Sequence, residues 1–136
     1  MSATTILIVD DEELFHEYVE AFLDIKNAHF LHAYNGKEGL KLYLEHEPSL
    51  SLVILDITMP VMNGEEFLRE LNVKRRAICP IIVLSGWFTE KEKASCMTLG
   101  AKEVLAKPIS PDKLRPCVKY HLEAEKAPGR ASGCFS

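Results

Sequence analysis

Short runs of Ile, Val and Leu recur along the chain, each followed by a stretch where apolar residues return every three or four positions. This alternation constrains the fold more than any other feature, because it is the pattern of β-α-β units around a parallel sheet. Thr5 to Val9, Leu52 to Leu55 and Ile81 to Leu84 carry almost no polar residue. A strand that is apolar at successive positions has no face to offer water, so helices must cover it on both sides. Phe30 to Ala33 and Val104 to Ala106 are shorter or more mixed and are expected nearer the sheet edges. The expectation is an α/β fold, a doubly wound five-stranded parallel sheet with about five helices. With 136 residues there is room for one such core and not for a second folded domain.

The connecting stretches read as helices. Leu14, Tyr18, Ala21, Phe22 and Ile25 share one face if Glu13 to Lys26 is helical. Asn35-Gly36 is a turn signal before a helix over Lys37 to His46, with Leu40 and Leu44 inward, Gly39 as a weak point and Pro48 as its close. A third helix follows Gly64 with Phe67, Leu68 and Leu71 inward. A fourth begins at Thr89, where Glu92 completes a capping box. Ser110-Pro111 opens a last helix toward Ala124, but Pro116 within it demands a kink or a later start. From Pro128 the residues are small and polar without periodicity, so a single domain over 1–126 and a disordered tail or linker over 127–136 are expected.

A formal net charge of -4 and a pI near 5.7 argue against direct nucleic-acid binding, which needs a cationic face. No apolar run approaches the roughly 20 residues that span a bilayer, and no basic region leads into a signal-peptide core, so no membrane partner and a cytoplasmic location are expected. Cys79, Cys96, Cys117 and Cys134 are scattered with no Cys-x-x-Cys pair, which suggests reduced thiols rather than zinc or disulfides.

In a doubly wound sheet the ligand site lies at the carboxyl ends of the strands. Asp10 and Asp11 follow the first strand, Asp56 the third, Ser85 the fourth and Lys107 the fifth. Singly, each has an ordinary explanation: Asp10 as a helix cap, Ser85 satisfying a backbone group, Lys107-Pro108 as a solvated loop. Together, on one rim and in chain order, they point to a shared site. Three crowded carboxylates repel, at about 4 kcal/mol for a pair ~4 Å apart at an effective dielectric near 20, and so call for a cation. Oxygen ligands alone suit magnesium, which binds through one or two carboxylates plus a phosphate. A phosphoryl group on Asp56, the nucleophile, would meet that cation and the Lys107 ammonium.

With these residues in place, the chain resembles the receiver domains of two-component response regulators and is similar to the chemotaxis response regulator. The resemblance covers about Thr4 to Glu123. It is carried by Ile6-Leu7-Ile8-Val9-Asp10-Asp11-Glu12, Leu55-Asp56-Ile57-Thr58-Met59-Pro60 with Asn63-Gly64, Ile82-Val83-Leu84-Ser85-Gly86, and Gly100-Ala101 leading to Lys107-Pro108. It implies a flavodoxin-like sheet of order 2-1-3-4-5 and Asp56 as the phosphoacceptor. Asp11, Asp56 and the Thr58 carbonyl would hold magnesium, with Asp10 assisting through water. A histidine kinase or phosphotransfer protein would be the donor. Ser85 would donate its hydroxyl to the phosphoryl group and so repack the face built from helix four, strand five and helix five, where a downstream effector binds.

The chain departs from the family at several points. Val104 stands three positions before the lysine, where many members carry a rotating Tyr or Phe, so an aromatic switch is not expected and loop and backbone shifts would carry the signal. Trp87 and Thr58 occupy positions that in the family tune phosphoryl loss. Trp87 would slow hydrolysis, or else be a surface aromatic packed with Phe88 against helix four. Pro116 and a fifth strand without paired acidic residues argue against the symmetric dimer of some DNA-binding regulators, and the possibility of another homodimer stays open. Two other classes fare worse. A phosphatase of the haloacid dehalogenase type would use Asp10 and want Asp where Glu12 stands, and a flavin carrier would not place four acidic residues, Asp10 to Glu13, in its phosphate loop. The runner-up is a receiver-fold scaffold that works without phosphorylation.

Overall fold

The structure, a computed structural model, describes residues 4–74 and 79–126. The apolar runs form β1 (Thr4–Val9), β2 (Ala28–Ala33), β3 (Leu52–Leu55), β4 (Ile81–Ser85) and β5 (Glu103–Ala106). Between and after them lie α1 (Glu13–Phe22), α2 (Gly36–His46), α3 (Gly64–Lys74), α4 (Glu90–Thr98) and α5 (Pro111–Lys126), with a short 3-10 turn at Glu47–Ser49. All strand pairs are parallel and the spatial order is β2-β1-β3-β4-β5, the expected doubly wound arrangement with the mixed strands at the edges.

Side chains alternate across the sheet, which divides the core in two. Leu7, Val9, Val53, Leu55 and Val83 pack with Tyr43 of α2, Phe67, Leu68 and Leu71 of α3 and Cys96 of α4. Ile6, Ile8, Ile54, Ile82 and Leu84 pack on the other side with Val19 of α1 and with Leu114, Val118 and Leu122 of α5. Both faces are dry, which is why the central strands could be read from apolarity alone. The inward residues of α3 and the Thr89/Glu92 capping box of α4 also stand where expected.

Three helices depart from expectation. α1 ends at Phe22 rather than Lys26, and Asp24 and Asn27 then take positive φ, a conformation these short polar residues tolerate. Its inner face is also rotated: His16, Val19 and Leu23 are buried, whereas Leu14 is 77% exposed and Ala21 and Phe22 lie outside. The phase is set by a polar residue. His16 goes inside because its Nε2 meets the Asp10 carbonyl at 2.7 Å and its Nδ1 meets His32 Nδ1 at 2.7 Å, and His32 in turn meets Glu20. Tyr18 is half-buried and donates its hydroxyl to the Ile109 carbonyl.

In α2, Asn35 is the N-cap, its side-chain oxygen accepting the Glu38 N–H at 2.8 Å, so the helix begins one residue earlier, at Gly36. Gly36, Gly39 and Tyr43 are its buried residues, with Leu40 half-buried and Leu44 largely outward. Gly39 is a packing requirement rather than a weakness, because a Cβ there would lie 2.8 and 2.9 Å from the two Val9 methyls. α5 starts at Pro111 and continues through Pro116, so the later start does not occur. Pro116 and Asp112, whose carbonyl loses its partner, are both exposed, where that carbonyl is within reach of solvent. The expected tail over 127–136 lies outside the described residues. Among the described residues no helix is long and apolar enough to cross a membrane.

Gly39→Ala is expected to destabilise the fold by ~1–3 kcal/mol through overpacking against Val9, against the gain of ~1 kcal/mol that alanine brings to a helix interior. The urea midpoint, at unchanged m-value, measures it.

Candidate functional site

The carboxyl ends of β1, β3, β4 and β5 open onto a cleft of about 730 Å³ whose wall includes Asp11, Asp56, Thr58, Ser85, Trp87 and Lys107. Strand register brings these residues together. Val9 pairs with Leu55 in β1 and β3, so Asp10 and Asp56 leave the sheet side by side, and the Asp56 N–H donates to the Val9 carbonyl at 2.9 Å. Ser85 pairs with Ala106, and the Lys107 N–H donates to the Ser85 carbonyl at 2.9 Å. Beneath Asp56, a Cβ on Gly64 would sit 2.3 Å from the Asp56 carbonyl oxygen, so only glycine lets α3 start this close.

Asp10, Asp11 and Asp56 bring carboxylate oxygens within 4.8 Å of one another. They are not equivalent. Asp10, 1% exposed, has both oxygens engaged: Oδ1 accepts the Glu12 N–H at 2.8 Å and Oδ2 accepts Lys107 Nζ at 2.5 Å. Asp56, 7% exposed, holds less: Oδ1 accepts the Thr58 N–H at 3.3 Å, and Lys107 Nζ stands 3.9 Å from Oδ2. Burial pushes the Asp56 carboxyl up to about 6 from its ordinary 3.8; Lys107 opposes the shift, while the charges of Asp10 and Asp11 add to it. Burial alone would lower the Lys107 ammonium, but its hydrogen bond to Asp10 and the charges of Asp10, Asp56 and Glu12 outweigh that and hold it raised.

One ammonium therefore faces three carboxylates, counting Glu12 at 3.4 Å, and Asp11 adds a fourth negative charge to the cluster. The surplus negative charge and the all-oxygen donor set fit a hard divalent cation such as magnesium and do not favour a thiophilic one. Asp11 is exposed and can turn to such an ion without losing a buried contact.

Two residues were missed from sequence. Lys107 Nζ lies 4.2 Å from the centroid of Phe15, whose ring caps the ammonium. Phe15 was hidden by the misread phase of α1, and Glu12 looked like one more acid in a run. Trp87 is 73% exposed at the cleft rim, while Phe88 alone packs against the core. The Ser85 hydroxyl donates to the Trp87 carbonyl at 3.1 Å. Val104, 4% exposed, is locked in the core on the α4 side.

The chain is also similar to known proteins. The family model of the response regulator receiver domain matches residues 6–119. The regulatory protein VanR of Enterococcus faecium is 36% identical over 121 residues, covering 89% of this chain and 51% of VanR. The uncharacterized transcriptional regulatory protein YcbL of Bacillus subtilis is 31% identical over 113 residues, covering 83% of this chain and 48% of YcbL. The chain thus spans about half the length of the curated relatives it matches. A CheY-like receiver domain protein from Methanospirillum hungatei superimposes with a TM-score of 0.82 at 27% identity, covering 92% of this chain and 98% of that one. The CheX-CheY-BeF3-Mg+2 complex from Borrelia burgdorferi gives a TM-score of 0.78 at 26% identity, covering 88% and 89%.

The raised Asp56 carboxyl makes a pH-dependent prediction. A carboxyl raised in the fold destabilises it wherever it is ionised, so the penalty is full above pH 6 and relieved as pH falls through 6 toward 3.8. Without divalent cations, Asp56→Asn is expected to be more stable than the native chain by ~2–3 kcal/mol at pH 7.5, with the gap closing below pH 4. Urea denaturation across that range checks it.

Proposed function

Since this chain belongs to the receiver domain family of two-component response regulators, we propose that it is a phosphorylation-switched signalling domain that accepts a phosphoryl group from a histidine kinase or phosphotransfer protein onto Asp56. The observation that carries this reading is the inequality of the carboxylates. Asp10 has no free oxygen, whereas Asp56 is buried, under-bonded and open to the cleft. That inequality also disfavours the phosphatase alternative, which needs Asp10 as nucleophile.

Asp11 and Asp56, with the Thr58 carbonyl, would hold magnesium, and Asp10 would act through water. When bound, the ion supplies charge stabilisation to the transferring phosphoryl oxygens. An Asp56 carboxylate oxygen attacks phosphorus, and the bond to the donor breaks with its electron pair leaving on the donor. Lys107, already 3.9 Å from Asp56, pairs with the new charge, and Asp10 and Phe15 keep its ammonium in place. The Ser85 hydroxyl can turn to the phosphoryl oxygens only by leaving the Trp87 carbonyl, so its capture reorganises residues 86–88. The shift then travels along the β4–β5 ladder to the face formed by α4, β5 and α5, where an effector domain or protein binds. The magnesium in the Borrelia CheY complex is consistent with this assignment. The reading entails a cytoplasmic location and regulation rather than turnover of a substrate.

A second reading, a scaffold that works without phosphorylation, rests on Val104. Its buried side chain cannot swing between cleft and surface as a larger aromatic could.

Intact mass after incubation with acetyl phosphate and magnesium tests the proposal. One phosphoryl adduct is expected, lost without magnesium and in Asp56→Ala. No adduct from a purified kinase or acetyl phosphate would favour the scaffold. Trp87→Ala is expected to shorten the phosphoryl lifetime, measured by decay of the same adduct, because the ring at the cleft rim limits water. An unchanged lifetime would leave Trp87 a surface aromatic.

A further inference from the structure

A second cluster of ligating side chains lies at the opposite end of β5 from Lys107. Glu103 opens the strand, and Cys117 and His121 stand one turn apart on α5, so i and i+4 spacing puts the thiol and the imidazole on one face of the helix. Glu103 and Leu105 share a sheet face by the two-residue period of a strand. Leu105 and Cys117 both pack against the α5 side of the core, which turns Glu103 toward the same helix. The three residues bring one oxygen, one sulfur and one nitrogen within 4.8 Å of one another, and His121 Nε2 is already 3.1 Å from Glu103 Oε2.

We propose that Glu103, Cys117 and His121 form a metal site that takes zinc, distinct from the oxygen-only site at Asp56. Ligand chemistry favours this ion: thiolate, imidazole and carboxylate suit zinc, whereas magnesium takes oxygen donors. Geometry favours it as well. Donors at zinc bond lengths of ~2.0–2.3 Å on a tetrahedron lie roughly 3.3–3.6 Å apart. The Glu103–His121 pair is therefore within a few tenths of an ångström of a ligand edge, and the thiol, within 4.8 Å of both, must close by at most about 1.2 Å. His121 is buried and Cys117 half-buried, so both are held rather than free in solvent. A plain ion pair between His121 and Glu103, with the thiol filling the core edge, explains two of these contacts but gives no reason for sulfur beside both.

On binding, the Cys117 thiol proton passes to solvent as the sulfur–zinc bond forms, and His121 binds through one ring nitrogen with its proton on the other. Three protein ligands leave one position for water. Glu103 and Cys117 also line a groove of about 760 Å³ with Pro116 and Tyr120. The inference stands independently of phosphorylation at Asp56.

The test uses the full chain with excess magnesium to saturate the acidic site, and cobalt as a spectroscopic substitute for zinc. One equivalent of cobalt is expected to give a thiolate-to-metal charge-transfer band and visible d–d bands, all displaced by zinc. Cys117→Ser should abolish the charge-transfer band, and Glu103→Gln and His121→Gln should each weaken zinc binding at least about tenfold by calorimetry. Asp11→Asn should change none of these. No charge-transfer band in the folded native chain, or a band that persists in Cys117→Ser, overturns the proposal. Should Cys117→Ser fail to fold, Glu103→Gln decides: unchanged zinc affinity overturns the site and weakened affinity supports it.

Discussion

Central strands that are covered on both faces leave their polar groups one place to gather. Every residue of β3 and β4 is buried, so neither can place a charged side chain above or below the sheet without stranding it. The charges must stand just beyond the last apolar residue, and parallel strands put all those points on the same rim. Asp10, Asp56, Ser85 and Lys107 are neighbours for this reason, although they come from four segments of the chain. Their crowding then creates the next requirement. Carboxylates this close cannot all remain ionised at the edge of an apolar core without positive charge, and Lys107 answers only part of the demand.

That logic explains which parts of the molecule could be read from sequence. β1, β3 and β4 were legible because burial on both faces writes an unbroken apolar run, and the site was legible because each chemical residue directly follows such a run. The phase of α1 was not, because Leu14, Tyr18 and Phe22 make as good a stripe as the true one and the deciding residue is a histidine. His16 is inside for its hydrogen bonds, to which hydrophobic periodicity is blind. Gly39 misled for a related reason: in isolation it lowers helix propensity, and only the nearness of Val9 shows why nothing larger fits. Cysteine spacing carries no trace of the Glu103, Cys117 and His121 cluster, since the strand and helix that unite them are separate in sequence.

The edge at β5 is where the proposed chemistry and the proposed recognition face meet. Lys107 is tied by its side chain to Asp10 and by its backbone to Ser85, so a change at either partner bears on the same short strand. Val104, two residues into that strand, points away from the cleft into packed core and offers no rotating lever. Movement at β5 must therefore be movement of backbone, shared by Pro108, which follows through a cis peptide, and by the start of α5. A rigid ladder transmits small displacements well, because interiors packed at crystal density do not absorb them.

The contact between Lys107 and Asp10 closes a loop of 97 residues. During synthesis the three aspartates emerge long before the lysine, and β5, an edge strand, joins a sheet whose other four strands can already have paired. The acidic rim thus spends the early life of the chain without its resident counter-charge.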